Sequence, residues 1–167
     1  VVTGYSPGNA TKLNKQNLLV FLLKRKVLMT ESQGIKPLEK LGDTLMIGYA
    51  TLGSNDLEKG AKFYDDFLGA FGGKRAFSMD RIIFWNDAKG GAMLALCVPY
   101  DEKTATAGNG NMIALAAEST EEVDAMYAKA MELGATDEGE PGARMETFYG
   151  AYFRDLDGNK VCCFKFT

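Results

Sequence analysis

The chain has 167 residues, 46% apolar and 25% charged, a balance that supports one sizeable globular core. Its net charge of −3 supplies no basic footprint for nucleic acid. It contains no histidine, which removes Ser-His-Asp and Cys-His catalysis, the two-His-one-carboxylate iron triad and His-based zinc sites.

Residues 1–45 differ in character from the rest. Val1–Ala10 carries Gly4, Pro7 and Gly8 and reads as loop, whereas Lys15–Met29 has the spacing of an amphipathic helix with Leu18, Leu19, Leu22 and Leu23 along one side. Gly34 and Pro37 break that pattern. The apolar run Leu18–Leu23 falls far short of the roughly 20 residues a membrane helix needs. Lys12 and Lys15 precede it as in a signal peptide, but Lys24-Arg25-Lys26 follow where small residues should sit, so a cytoplasmic protein is expected. Cys97, Cys162 and Cys163 are too few for a disulfide framework. The adjacent pair Cys162 and Cys163 should point to opposite faces of a strand.

From Met46 onward the pattern becomes regular. Met46–Gly53 is a strand candidate, and Asn55 or Asp56 caps a helix running to about Phe71, with Leu57, Ala61, Tyr64 and Leu68 on its buried side. Gly72-Gly73 stops it. Strands at Lys74–Met79, Arg81–Asn86 and Ala92–Val98 follow, separated by turns at Asp80-Arg81 and Asp87–Gly91. The Gly-rich stretch Gly108–Asn111 has no Walker lysine and no dinucleotide spacing, and reads as a linker.

The same grammar then repeats. Asn111–Ala117 is a strand, and Ser119-Thr120-Glu121-Glu122 is a capping box opening a second helix with Val123, Met126, Tyr127, Ala130 and Leu133 inward. Gly134 ends it. Strands near Arg144–Thr147, Ala151–Arg154 and Lys160–Phe166 complete the set, with Asp157-Gly158 as the last turn. The chain thus reads βαβββ twice, which argues for one pseudo-symmetric domain.

At this point the sequence resembles a known family. "MIGYATLGSNDLEKGAKFYDDFLGAFG" is similar to the opening strand and helix of vicinal-oxygen-chelate proteins (glyoxalases, bleomycin resistance proteins and dioxygenases), and "EPGARMETFYGAYFRDLDGNKVCCFKF" to their closing hairpin. The resemblance covers about residues 46–167. It implies an α+β fold in which two βαβββ modules, about 46–100 and 110–167, pair into an eight-stranded, cup-shaped mixed sheet. Residues 1–45 are then an accessory N-terminal helical arm.

Enzymes of this family hold a divalent metal in the cup with His, Gln or Glu side chains. Carried onto this chain, the ligand positions fall at Tyr49, Ala95, Met112 and Cys162. Tyr, Ala, Met and Cys do not make a site for hard or borderline metals, and thioether with thiolate suits only soft ions such as Cu(I). The plainer alternative is that Met112 and Cys162 are apolar wall residues. No metal or other cofactor is therefore expected, and glyoxalase, extradiol dioxygenase and metal-dependent fosfomycin-modifying activities are disfavoured.

Strand alternation turns Tyr49, Ala95, Met112, Cys162 and Phe164 toward the cup, with Trp85 a further candidate, giving an apolar, aromatic pocket. The alternative is that they fill the cup as core. Arg144 either aims its guanidinium at an anionic or carbonyl-bearing ligand, or pairs at the surface with Glu146 or Asp155. Asp101-Glu102, Asp137-Glu138 and Glu140 either form an acidic rim or are solvated loop charges. The leading expectation is metal-independent binding of a small, partly aromatic organic molecule, as in the bleomycin-resistance branch. The alternatives are an enzyme working through Tyr49, Arg144 or a carboxylate, including a glyoxalase-like lyase with a non-standard site, and an assembly partner with no ligand. A small-molecule ligand and a second copy of the chain are the expected partners, with no nucleic acid and no membrane.

A chain beginning at Met46 should fold by circular dichroism, keep its ligand site and dimerise less tightly than the longer chain. Aggregation in its place would put the arm inside the core.

Overall fold

A computed structural model describes residues 47–87 and 90–167; the expected arm and its Lys15–Met29 helix lie outside them. β1 (Tyr49–Gly53) leads into α1 (Leu57–Gly69), β2 (Lys74–Met79), β3 (Ile82–Asn86) and β4 (Met93–Cys97). The order repeats as β5 (Ile113–Ala116), α2 (Thr120–Glu132), β6 (Thr136–Met145), β7 (Phe148–Arg154) and β8 (Lys160–Phe166). The fold is α+β, with two βαβββ modules. Its eight strands form two four-stranded mixed sheets, ordered β1-β4-β3-β2 and β5-β8-β7-β6. Each module's first strand runs parallel to its last, and the remaining pairs are antiparallel. Among the described residues no helix is long and apolar enough to cross a membrane.

Local chemistry explains the helix boundaries. The Asp56 carboxylate accepts the Lys59 N–H at 3.0 Å, and the Ser119 hydroxyl accepts the Glu122 N–H at 3.2 Å, each satisfying an orphan donor of a first turn. The Glu122 carboxylate reaches back to the Glu118 N–H, one residue earlier than a capping box requires. Gly134, at φ +91°, ends α2 in a conformation that favours glycine.

The expected strand near Arg144–Thr147 is corrected. β6 begins at Thr136 and ends at Met145, and Glu146-Thr147 belong to the turn before β7. Gly139, Pro141 and Gly142 hid this strand, because they interrupt any apolar alternation. They are tolerated because β6 is an edge strand whose pairing with β7 is broken by register shifts.

Register divides each sheet into two faces. Leu52, Leu94, Leu96, Ile83 and Trp85 share the face that packs on α1, and Val161, Cys163, Ala151 and Phe153 share the face that packs on α2. All belong to one buried cluster. Phe67 of α1 and Phe153 of β7 are fully buried with ring centroids 5.5 Å apart, so the helix-bearing faces of both modules meet in a common core.

The turn between β7 and β8 ties the modules together. Buried Asp155 accepts hydrogen bonds from the Tyr64 hydroxyl (2.8 Å), the Asp157 N–H (2.9 Å), the Asn159 N–H (2.8 Å) and Asn159 Nδ2 (2.9 Å). Asp157 in turn accepts from the Ser54 hydroxyl at 2.6 Å and the Asn55 N–H at 2.8 Å, and Asn159 donates to the Gly53 carbonyl at 2.9 Å. A Cβ on Gly60 would approach Leu96 Cδ2 to 2.7 Å and Ser54 Oγ to 3.1 Å, so α1 sits this close only because the residue is glycine.

Cys162 and Cys163 point to opposite faces, as strand geometry requires; both are buried. Burial pushes the Cys163 thiol up to about 12. It also raises Cys162, against the opposing influence of Tyr152, Lys160 and Arg144.

Replacing Asp155 with Ala should lower unfolding free energy by about 3 kcal/mol in urea titration, because Tyr64 and Asn159 lose a buried acceptor; Tyr64→Phe should cost about 1–2 kcal/mol. A change within error for Asp155→Ala would show that the turn does not hold the modules. The thiols give a second expectation. A raised pKa leaves less thiolate at a given pH, so at about pH 8 iodoacetamide should label half-buried Cys97 before Cys162 and Cys163. Labelling of Cys162 or Cys163 should accelerate only as pH climbs toward their raised pKa values or as the protein unfolds.

Candidate ligand-binding site

The face of each sheet turned away from the core carries the candidate site. On the first sheet Tyr49 and Thr51 of β1 lie beside Met93 and Ala95 of β4, and Ala95 pairs with Phe84 of β3. The Tyr49 ring meets Phe84 edge-on at 5.3 Å, and Phe77 stacks on Phe84 at 4.3 Å. On the second sheet Phe148 and Phe164 stack at 5.4 Å, and Phe166 meets Phe164 edge-on at 5.1 Å. Cys162 lies between Ala114 and Tyr152 on this face, and exposed Met112 just precedes β5. Tyr49 and Ala95 therefore belong to one open face, and Met112, Cys162 and Phe164 to the other.

Trp85 is not on either open face. It alternates with Phe84, so its side chain enters the core, where it packs 5.7 Å from the Tyr64 ring and donates its indole N–H to Asp65 at 2.9 Å. The expectation that it lines the cup is corrected by strand parity. An indole N–H also needs an acceptor when buried, and Asp65 of α1 supplies it.

Arg144 pairs with neither Glu146 nor Asp155. Its guanidinium lies over the Tyr152 ring, 5.5 Å from the centroid, and donates to the Glu140 carbonyl. Lys160 Nζ sits 5.3 Å from the same centroid. Glu138 bridges Arg154 at 2.7 Å and Lys160 at 3.2 Å, and these two contacts hold its carboxyl below the usual range. Part of the expected acidic rim is thus neutralised by neighbours.

Sequence reasoning missed Tyr152, Lys160, Phe148 and Phe77. The signal for Tyr152 and Phe148 was present: alternation along "FYGAYFR" places Phe148, Gly150, Tyr152 and Arg154 on one face. An open cleft of about 360 Å³ lies where Thr51 and Gly53 of β1 face the linker residues Ala107 and Asn111, Met112 and Lys160. Of the expected site residues only Met112 borders it.

The inferred metal positions do not fit a divalent ion. Ala95 offers no donor, the Tyr49 ring is packed against Phe84, Met112 offers a thioether, and burial keeps the Cys162 thiol protonated. Among the described residues no three His, Cys, Asp or Glu side chains are grouped to hold a metal.

Comparison with known proteins places this geometry in context. The chain is similar to a glyoxalase/bleomycin resistance protein from Albidiferax ferrireducens T118, at 36% identity and a TM-score of 0.66, over 71% of this chain and 97% of that one. It is also similar to the hypothetical protein SA1046 from S. aureus, at 28% identity and a TM-score of 0.58, over 71% of this chain and 91% of that one. A lactoylglutathione lyase from Agrobacterium tumefaciens, at 23% identity and a TM-score of 0.54 over 71% and 91% of the two chains, shares the fold. No curated protein matches the sequence. The profile of the Glyoxalase/Bleomycin resistance protein/Dioxygenase superfamily matches residues 46–163, and the chain belongs to that superfamily.

Proposed function

We propose that this chain binds a small, partly aromatic organic molecule on the open sheet faces, without the divalent metal that enzymes of this fold place in their cup. One observation carries the reading. Both open faces present ring clusters, Tyr49 with Phe84 and Phe77, and Phe148 with Phe164 and Phe166, set away from the core with Tyr49 and Phe166 more than half exposed. Exposed apolar patches of this kind mark ligand or protein contact surfaces. Rings in such a patch offer stacking and edge-to-face contacts to a planar ligand.

The partner in this reading is a second copy of the chain. The helix-bearing faces meet in one core, so the two open faces point away from it, and each is half a cup. Tyr49, Met79, Met145 and Phe166 are too exposed and too apolar to remain in water at low cost. A second copy supplies the matching half for each.

An enzyme working through Tyr49 would need an acid–base partner for its hydroxyl. Among the described residues the Tyr49 ring contacts Phe84 and its hydroxyl has no hydrogen bond. Sequestration accounts for the same residues without that requirement.

A thermal-shift screen of aromatic metabolites and cationic antibiotics should yield a stabilising compound, and light scattering should give a dimer. Binding should survive dialysis against EDTA and weaken about tenfold in Tyr49→Ala, through loss of ring contact. Trp85 faces the core, so its fluorescence should change little on binding. Binding abolished by EDTA, with about one zinc, nickel, iron or manganese per chain before treatment, would restore a metalloenzyme reading. Binding that neither Tyr49→Ala nor Met112→Trp disturbs would move the site elsewhere.

A further inference from the structure

The two open faces differ in charge, and that difference selects a ligand. The first sheet presents Tyr49, Phe84, Phe77, Met93 and Ala95, and its one charged group among the described strand residues is Lys74, paired with Asn86 at the far end of the edge strand. The second presents Arg144 and Lys160 against the Tyr152 ring, with Arg154 one register step beyond. Resting on the binding reading above, we infer that Arg144, Lys160 and Tyr152 form an anion subsite, and that the ligand is an aromatic carboxylate and not a cation.

The local charge count supports this. Arg144, Arg154 and Lys160 share the face with one bridging carboxylate, Glu138, which is already engaged by the latter two. Asp137 pairs in register with Phe153 of the core face, and burial, Asp137 and Glu140 together raise the Tyr127 hydroxyl on α2, so the charge of these carboxylates acts on the other side of the strand. Cys162, which feels both Arg144 and Lys160, stays a neutral thiol and contributes no competing anion. Among the described residues Arg144 makes no ion pair, and its bond to the Glu140 carbonyl leaves most of its five N–H donors available.

The backbone also makes room for this arginine. A Cβ at Gly139 would stand 3.3 Å from Arg144 Nη2 and 3.1 Å from Tyr152 Cδ2, and one at Gly142 would stand 3.2 Å from Nη1. Gly139 has φ +152°, which a side chain would strain. The glycine-rich edge strand that obscured β6 in the sequence is thus what gives the guanidinium room over the Tyr152 ring. A guanidinium offers a planar fork of donors to a carboxylate, and this is where arginine exceeds lysine.

The test compares three ligands of one shape by calorimetry: 2-naphthoate, neutral 2-naphthamide and 2-naphthylmethylammonium. The carboxylate should bind about tenfold tighter than the amide, with the ammonium weakest. Arg144→Gln should remove most of that preference, Arg144→Lys should restore part of it, and Lys160→Gln should reduce it. Arg144 is exposed, so the variants should keep the parent's thermal midpoint. Equal binding of all three compounds, or a carboxylate preference that survives Arg144→Gln, overturns the subsite and leaves the binding reading standing. Tightest binding of the ammonium also overturns it, in favour of a cationic ligand. Failure of all three to bind overturns the binding reading itself, and the subsite with it.

Discussion

The Asp155 carboxylate is buried and accepts four hydrogen bonds, one of them from Tyr64 in the other module. A carboxylate out of water is costly unless every lone pair is answered, and here the answering groups come from its own turn and from α1. The same turn sends Asp157 to Ser54 and Asn55 at the start of α1. Two modules that are 91 residues apart at this contact are thereby fixed against each other. Burial, with the neighbouring Asp155, pushes the Tyr64 hydroxyl well above its ordinary value, so it remains a donor throughout the physiological range.

Once the modules are fixed in this way, strand alternation settles the rest. Each sheet gives one face to the shared core, where Phe67, Phe153, Trp85 and Val161 are buried, and has one face left over. The leftover faces carry clusters of aromatic groups, and among the described residues no helix packs on them. That imbalance, more than any single residue, is why a ligand and a second copy of the chain are natural occupants.

The metal-independent reading we propose rests on the side chains at the inferred ligand positions. Fold alone does not carry activity, which resides in the groups placed on it. At the inferred ligand positions those groups are a packed ring, a methyl, a thioether and a protonated thiol. The cations Arg144 and Lys160 stand on the second sheet near Cys162, one of the inferred ligand positions. Charge on this face is carried by side chains of β6 and β8 that flank Tyr152 of β7, and in the reading we propose it favours oxygen anions of a ligand.

Sequence by itself determined the repeat, the helix boundaries and the family, because caps such as Asp56 and Ser119 and the hairpin Asp155–Asn159 are local chemistry written in adjacent residues. The resemblance also set Tyr49, Ala95, Met112 and Cys162 at the family's ligand positions, and residue identity alone gives the donors they offer. It placed Tyr49, Ala95, Cys162 and Phe164 off the core face, because period-two alternation is readable in a regular strand. Trp85 was misplaced because a tryptophan suits either face, and only α1, bringing Asp65 to the indole N–H, decided which. β6 was misread because its glycines and proline carry no alternation, and its strand character comes from pairing with β7. The approach of Arg144 and Lys160 to Tyr152 joins three strands, and the division of the open faces depends on contacts such as Phe67 with Phe153. Contacts between residues so far apart in the chain are set by packing, and only the tertiary structure decided them.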